Sequence, residues 1–263
     1  MKKKIIYMAL FYCFPIWAEN TCFLAYENQT MLKREGIECN KRSSPESTFK
    51  IALSLMGYDA GLLKDEIHPE WPFKKGYDLY INVWKGPHNP RTWIRDSCVW
   101  YSQVLTQKLG MKKFKDYVVK FNYGNLDVSG DRGKNNGLTH AWLSGSLAIS
   151  PEEQIQFLQK IIHNKLPISP KSYEMTKKIL FIQELAGGWK LYGKTGNGKQ
   201  LHLDRTKKDR QHGWFMGWIE KNGRIITFVE HLKDDKKKEV FASFRAKNDA
   251  LIKLFYLIDE LEK

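Results

Sequence analysis

Ser47 and Lys50 stand three residues apart in Ser47-Thr48-Phe49-Lys50, and no other serine of the 263 residues has a lysine at that spacing. Residues i and i+3 of a helix share a face. The apolar run that follows, Ile51, Ala52, Leu53, Leu55 and Met56, suits a helix. On its first turn the Ser47 hydroxyl and the Lys50 amine come within hydrogen-bond reach. A serine is a weak nucleophile until a base takes its proton, and a lysine is a base only when neutral. The unpaired N–H groups of a helix start favour a developing anion. The two residues therefore read as nucleophile and base in one turn. The alternative is a capping serine followed by a surface lysine.

A second candidate lies late in the chain. Gly188-Trp189-Lys190-Leu191-Tyr192-Gly193-Lys194-Thr195 fits the phosphate-loop pattern G-x-x-x-x-G-K-T. Such a loop needs small residues whose N–H groups wrap phosphates, with a helix after them. Trp-Lys-Leu-Tyr favours a strand and Gly196-Asn197-Gly198 stops a helix, so nucleotide binding is set aside. Read as Lys194-Thr195-Gly196 on a strand, these residues join Ser47-x-x-Lys50 and Ser97-Cys98-Val99 in a set of three. Penicillin-recognising serine enzymes use such a set in that order. The middle triplet, with Val99 where others have asparagine, resembles that of the class D (oxacillinase-type) serine β-lactamases. Tyr123-Gly124-Asn125 is similar to that family's Y-G-N, and Trp142-Leu143-x-Gly145 to its W-x-x-G. Many members carry glutamate where this chain has Ser144, a position outside the catalytic motifs.

The resemblance implies a serine β-lactamase acting on a small-molecule β-lactam. Ser47 would attack the carbonyl, Lys50 would take the proton, and Ser97 would relay one to the leaving nitrogen. Backbone N–H groups of Ser47 and Asn197 would form the oxyanion hole. Phe49, Val99 and Leu143 would line the pocket. Lys194, Thr195, Gly196 and Arg245 would hold the substrate, with Arg245 on its carboxylate; an ordinary surface arginine is the other reading of Arg245. Class D resemblance also implies no bound cofactor but CO2 carried as a carbamate on Lys50. Burial lowers a lysine pKa, and the Trp142 indole N–H is the candidate donor to the carbamate. A transpeptidase or a β-lactam-sensing domain shares the first and last motifs but would stay acylated.

These groups need elements to position them. Lys2, Lys3 and Lys4, the apolar residues 5–17 and Ala18 read as a secretory signal peptide over residues 1–18, with export to the periplasm. Residues 19–263 then form one domain, with no later stretch able to span a membrane. Export makes cysteines informative. Cys22 and Cys39 flank a hairpin-like stretch and could bridge, leaving Cys98 as a buried thiol. Residues 57–92 read as loop with short helical pieces. Helices are expected over 97–110, 111–121, from the capping box Ser150-Pro151-Glu152-Glu153 to His163, and from Ser169 to about Gly188. Strands are expected over 189–195, 213–220 and 224–231, and a last helix over 246–261. The fold class is α+β: a central antiparallel sheet built from both chain ends, flanked by helices, with a mostly helical middle, as in β-lactamases and transpeptidases.

The net charge is +14, yet the Lys and Arg residues are scattered, with one dense run at Lys236-Lys237-Lys238. No helix-turn-helix, zinc-finger or RNA-binding signature accompanies them, so no nucleic-acid partner is expected. The seven histidines form no H-x-H or H-E-x-x-H cluster, so no metal is expected. Nothing in the sequence sets the oligomeric state.

Overall fold

The structure, a computed structural model, describes residues 21–263. The signal peptide expected at residues 1–18 lies outside the described residues. A hairpin of β1 (Thr21–Glu27) and β2 (Thr30–Glu35) comes first. A 3-10 turn, Glu46–Phe49, then runs into α1 (Lys50–Asp59). The middle holds α2 (Pro90–Arg95), α3 (Val99–Leu109), α4 (Met111–Phe121), α5 (Gly137–His140), α6 (Pro151–Ile162) and α7 (Pro170–Leu180). The chain closes with β3 (Phe181–Glu184), β4 (Lys190–Leu201), β5 (Lys207–Lys221), β6 (Arg224–Lys233) and α8 (Ala242–Leu261).

The six strands form one antiparallel sheet in the order β2-β1-β6-β5-β4-β3, so both chain ends meet at the β1–β6 pair. Side chains alternate between the two faces of a strand. Trp214, Met216 and Trp218 of β5 therefore face the helical middle, where Phe49, Trp93, Trp100 and Trp142 are buried. Phe215 and Ile219 face the other way, onto α8. That helix presents Ala246, Ala250 and Leu254 to the sheet. Cys22 and Cys39 are bridged, tying the segment after β2 back to β1.

α6 begins as its sequence predicts. Ser150 accepts from Glu153 N while Glu153 accepts from Ser150 N, with proline at the first helical position. The helix expected from Ser169 to Gly188 instead stops at Leu180. Ile182 turns toward the α8 core, and Phe181 and Glu184 pair with Tyr192 and Lys190 as an edge strand. Gly187 and Gly188, at φ 73° and 82°, make the turn that follows. β4 and β5 also run further than expected, through residues 197–212, as a ribbon pairing out to Leu201 and Lys207. That extension is polar, so hydrophobic alternation could not reveal it. Among the described residues no helix is long and apolar enough to cross a membrane.

Candidate active site

The Ser47 turn is held between the sheet and the helical middle. Ser47 is half-buried on the 3-10 turn, and Lys50, the first residue of α1, is fully buried. Lys50 Nζ lies 3.0 Å from Ser47 Oγ. Burial lowers the Lys50 pKa from 10.5 to about 8, partly opposed by the neighbouring Cys98 and Glu46 side chains. A lysine so placed is neutral often enough to accept the serine proton.

Strand register brings the third motif to the same place. Lys194 and Gly196 pair with Met216 and Trp214, which face the helical middle. A Cβ on Gly196 would lie 3.2 Å from Ser47 N and 2.9 Å from Pro45 O, so only glycine lets β4 approach the nucleophile turn this closely. β3 pairs only with residues 190–192, leaving the following stretch of β4 uncovered by it. Lys194 is buried, and burial with the positive charges of Lys50 and Lys247 pushes its pKa well below the usual lysine value. Its Nζ donates to Thr195 O at 3.1 Å. Asn197 is clamped through its side chain: Nδ2 donates to Gln211 Oε1 at 3.0 Å, and Oδ1 accepts from Ser243 N at 3.1 Å.

Ser97 sits between α2 and α3 at φ 56°, half-buried. α3 starts after Cys98, and no side-chain hydrogen bond caps it among the described residues. Cys98, next along, is buried, and desolvation raises its pKa to about 12. It is a packed thiol, not a nucleophile. Val99 is buried on the first turn of α3, and Leu143 is half-buried beside Trp142.

Trp142 is fully buried, and its Nε1 is a donor without a hydrogen-bond partner. Its ring packs on Phe49 at 5.6 Å and on Phe114 at 6.1 Å between centroids. Phe49, expected to touch substrate, is itself fully enclosed by Phe114, Tyr123 and Trp142. It supports Trp142 from behind. Tyr123-Gly124-Asn125 acts as a staple. Asn125 Nδ2 donates to Ser146 O, and Asn125 Oδ1 accepts from Ala148 N, fixing the segment that follows Trp142. Gly124, at φ 57°, has no room for a Cβ, which would stand 2.2 Å from Ala148 O.

The structure commits Arg245 elsewhere. Its Nη2 donates at 2.7 Å to Asp234 Oδ2, a buried carboxylate, and its Nε to Val240 O. Lys247 is one of the cations near the Lys194 strand, its Nζ 5.9 Å from the Phe215 ring. A cavity of about 910 Å³ takes in Lys194, Thr195, Phe215 and Lys247. The spacing of Lys247 in a closing helix gave no sign of this.

The family profile described as penicillin binding protein transpeptidase domain matches residues 19–251. Beta-lactamase OXA-1 of Escherichia coli is 43% identical over 235 residues, covering 88% of this chain and 82% of that protein. Beta-lactamase OXA-9 of Klebsiella pneumoniae is 42% identical over 224 residues, covering 82% and 80%. The crystal structure of OXA-427 class D beta-lactamase matches with a TM-score of 0.87 at 42% identity, covering 92% of this chain and 99% of that one. The chain belongs to the class D β-lactamases. A class D β-lactamase structure from Bacillus subtilis matches at 28% identity with a TM-score of 0.74, covering 91% of this chain and 92% of that one.

Within class D, the departure at Ser144 acquires a partner. Ser144 Oγ donates at 2.6 Å to Glu46 Oε1, a buried carboxylate immediately before Ser47. Sequence reasoning passed over Glu46 because a single acid next to a motif carries no periodic or spacing signal. Among the described residues no group of three or more His, Cys, Asp or Glu side chains is placed to hold a metal ion.

Proposed function

We propose that the protein hydrolyses the four-membered amide of penicillins and related antibiotics through an acyl-enzyme on Ser47, and so confers resistance. The observation that carries this is the fully buried Lys50 amine 3.0 Å from Ser47 Oγ. Ser47 Oγ forms a bond to the β-lactam carbonyl carbon as its proton passes to the Lys50 base. The carbonyl electrons move onto oxygen, and the N–H groups of Ser47 and Asn197 hold that anion. When the C–N bond breaks, Ser97 gives its proton to the departing nitrogen and takes up the one that Lys50 accepted from Ser47. Lys194 and Thr195 hold the substrate carboxylate, with Lys247 adding positive charge at the same opening. Water then attacks the ester carbonyl as the Lys50 base takes its proton, and the ester C–O bond breaks as that proton returns to Ser47 Oγ. Val99 and Leu143 keep bulk water away from Lys50 while admitting the one that reacts.

The Lys50 site also suits a CO2 adduct. Only a neutral amine adds CO2, and burial supplies one. The resulting carbamate would be a buried anion, and the unpartnered Trp142 N–H is the donor that would hold it. Bound there, it would supply an anionic oxygen able to accept a proton from Ser47 and later from the reacting water.

The substrate would be met in the periplasm, after removal of the leader at residues 1–18. A purified sample mixed with a chromogenic cephalosporin tests the proposal. Many turnovers per protein, abolished by Ser47→Ala, are expected. A burst of one equivalent with no further turnover would replace the hydrolase with a transpeptidase or a β-lactam sensor.

A further inference from the structure

Glu46 occupies a conformation that its residue type resists. Its φ is +51°, in the left-handed region that disfavours a residue with a Cβ. Its backbone N–H donates to Trp142 O at 3.0 Å. Its carboxylate is buried, receives Ser144 Oγ at 2.6 Å, and faces His212 Nε2 at 3.5 Å. His212 is buried too, with Nδ1 3.2 Å from His231 Nε2. His231 stacks on Trp214 at 3.7 Å, and Trp214 Nε1 donates to Ser44 O at 2.9 Å. The chain of contacts thus leaves Glu46 through two strands and returns two residues before it. Burial and the nearby His212 hold the His231 pKa well below 6.5.

The same carboxylate touches the opposite wall of the site. A Cβ on Gly198 would lie 2.1 Å from Glu46 Oε1, so β4 rests directly on this side chain. Ser144 Oγ also accepts from Lys199 N at 3.2 Å. The two oxyanion donors are the N–H of the Glu46–Ser47 peptide and the N–H of Asn197, which lies between Gly196 and Gly198. One carboxylate therefore sits against the backbone that carries each donor.

We propose that Glu46, held by Ser144 and His212, is a positioning residue that sets the orientation and separation of the two oxyanion-hole N–H groups. It touches neither substrate nor the reacting atoms. This class D chain places a carboxylate at position 46 and a serine at 144, and the hydrogen bond between them locks the turn to β4. The inference rests on Ser47 being the nucleophile.

The test uses the full chain with Glu46→Gln and Glu46→Ala. The readouts are the single-turnover acylation rate of Ser47, the ground-state dissociation constant from the same progress curves, and the affinity of an arylboronic acid. The boronate forms a tetrahedral anion on Ser47 whose oxygen enters the hole. Removing an oxyanion donor outright costs about 100- to 1000-fold. Disordering both should cost Glu46→Ala about 10- to 100-fold in acylation rate and in boronate affinity alike, with ground-state binding within about threefold. Glu46→Gln keeps an acceptor for Ser144 and should lose about 3- to 10-fold by the same measure. If Glu46→Ala does not fold, Glu46→Gln alone decides. Boronate affinity within twofold of the parent, or an equal loss of ground-state binding, overturns the proposal. A parent that is not acylated on Ser47 would instead refute the function proposed above, and is checked first by mass spectrometry.

Discussion

Replacing Trp142 with phenylalanine separates a chemical role from a packing role. In the unmodified protein its Nε1 is buried and unpartnered. An unmade buried donor costs about 1–3 kcal/mol, and a hydrogen bond to a charged acceptor contributes about 1.5–3 kcal/mol. Phenylalanine keeps a ring against Phe49 and Phe114 but removes the donor. The smaller ring opens a hole costing about 1–2 kcal/mol, which the lost unsatisfied donor roughly offsets. Stability in CO2-free buffer should therefore change by less than about 1 kcal/mol. The affinity of Lys50 for CO2 should fall about 10- to 100-fold, since 1.4 kcal/mol is a factor of ten. The assay strips CO2, titrates turnover with bicarbonate, and follows the carbamate by NMR with 13C-bicarbonate. Thermal melting runs in parallel. A half-saturating bicarbonate concentration within twofold of the parent would refute the assignment. So would a collapse in melting temperature that accounts for the whole effect.

Further outcomes follow from named contacts. With Lys50 lowered to about 8, turnover should fall as pH drops below 8, and added bicarbonate should move that limb to lower pH; a rate profile with and without bicarbonate checks this. The matching stability term has a fixed sign. Between pH 8 and 10.5 the unfolded chain binds the extra proton, so the unmodified protein should gain up to roughly 3 kcal/mol as pH rises through that window, read by denaturant unfolding in CO2-free buffer. Arg245→Ala should reduce stability by less than the ~3–5 kcal/mol of a broken buried pair, because Lys238 stays 3.7 Å from Asp234, and should leave KM nearly unchanged. Lys247→Ala should do the reverse, raising KM severalfold at low salt with little change in melting temperature. Gly124→Ala should cost about 2 kcal/mol or more, from positive φ and the close Ala148 carbonyl, seen as a lower melting temperature.

The Ser47 turn, the Lys194 strand and the helical middle were legible because short motifs and hydrophobic periodicity both encode them. The Ser150 capping box fixed α6 for the same reason: its chemistry is local. Legibility ended where long-range contacts decide. β3 has one apolar residue facing the α8 core, too little for a strand signal, and exists because Tyr192 and Lys190 offer it an edge. Arg245 and Lys247 are indistinguishable as sequence; Asp234 claims the first and leaves the second to the cavity. Phe49 lies inside the catalytic motif, yet helix geometry turns it into the aromatic core. Glu46 gained its meaning only from partners about 100 and 170 residues away.

Because β1 pairs with β6 and the Ser47 turn leans on β4, no early fragment of the chain owns a complete site. Sheet closure must wait until residues near 230 are available, which makes this a slow, high-contact-order topology. A labelled penicillin that reacts with Ser47 would consequently serve as a stopwatch for maturation, marking only molecules whose last strands have already docked.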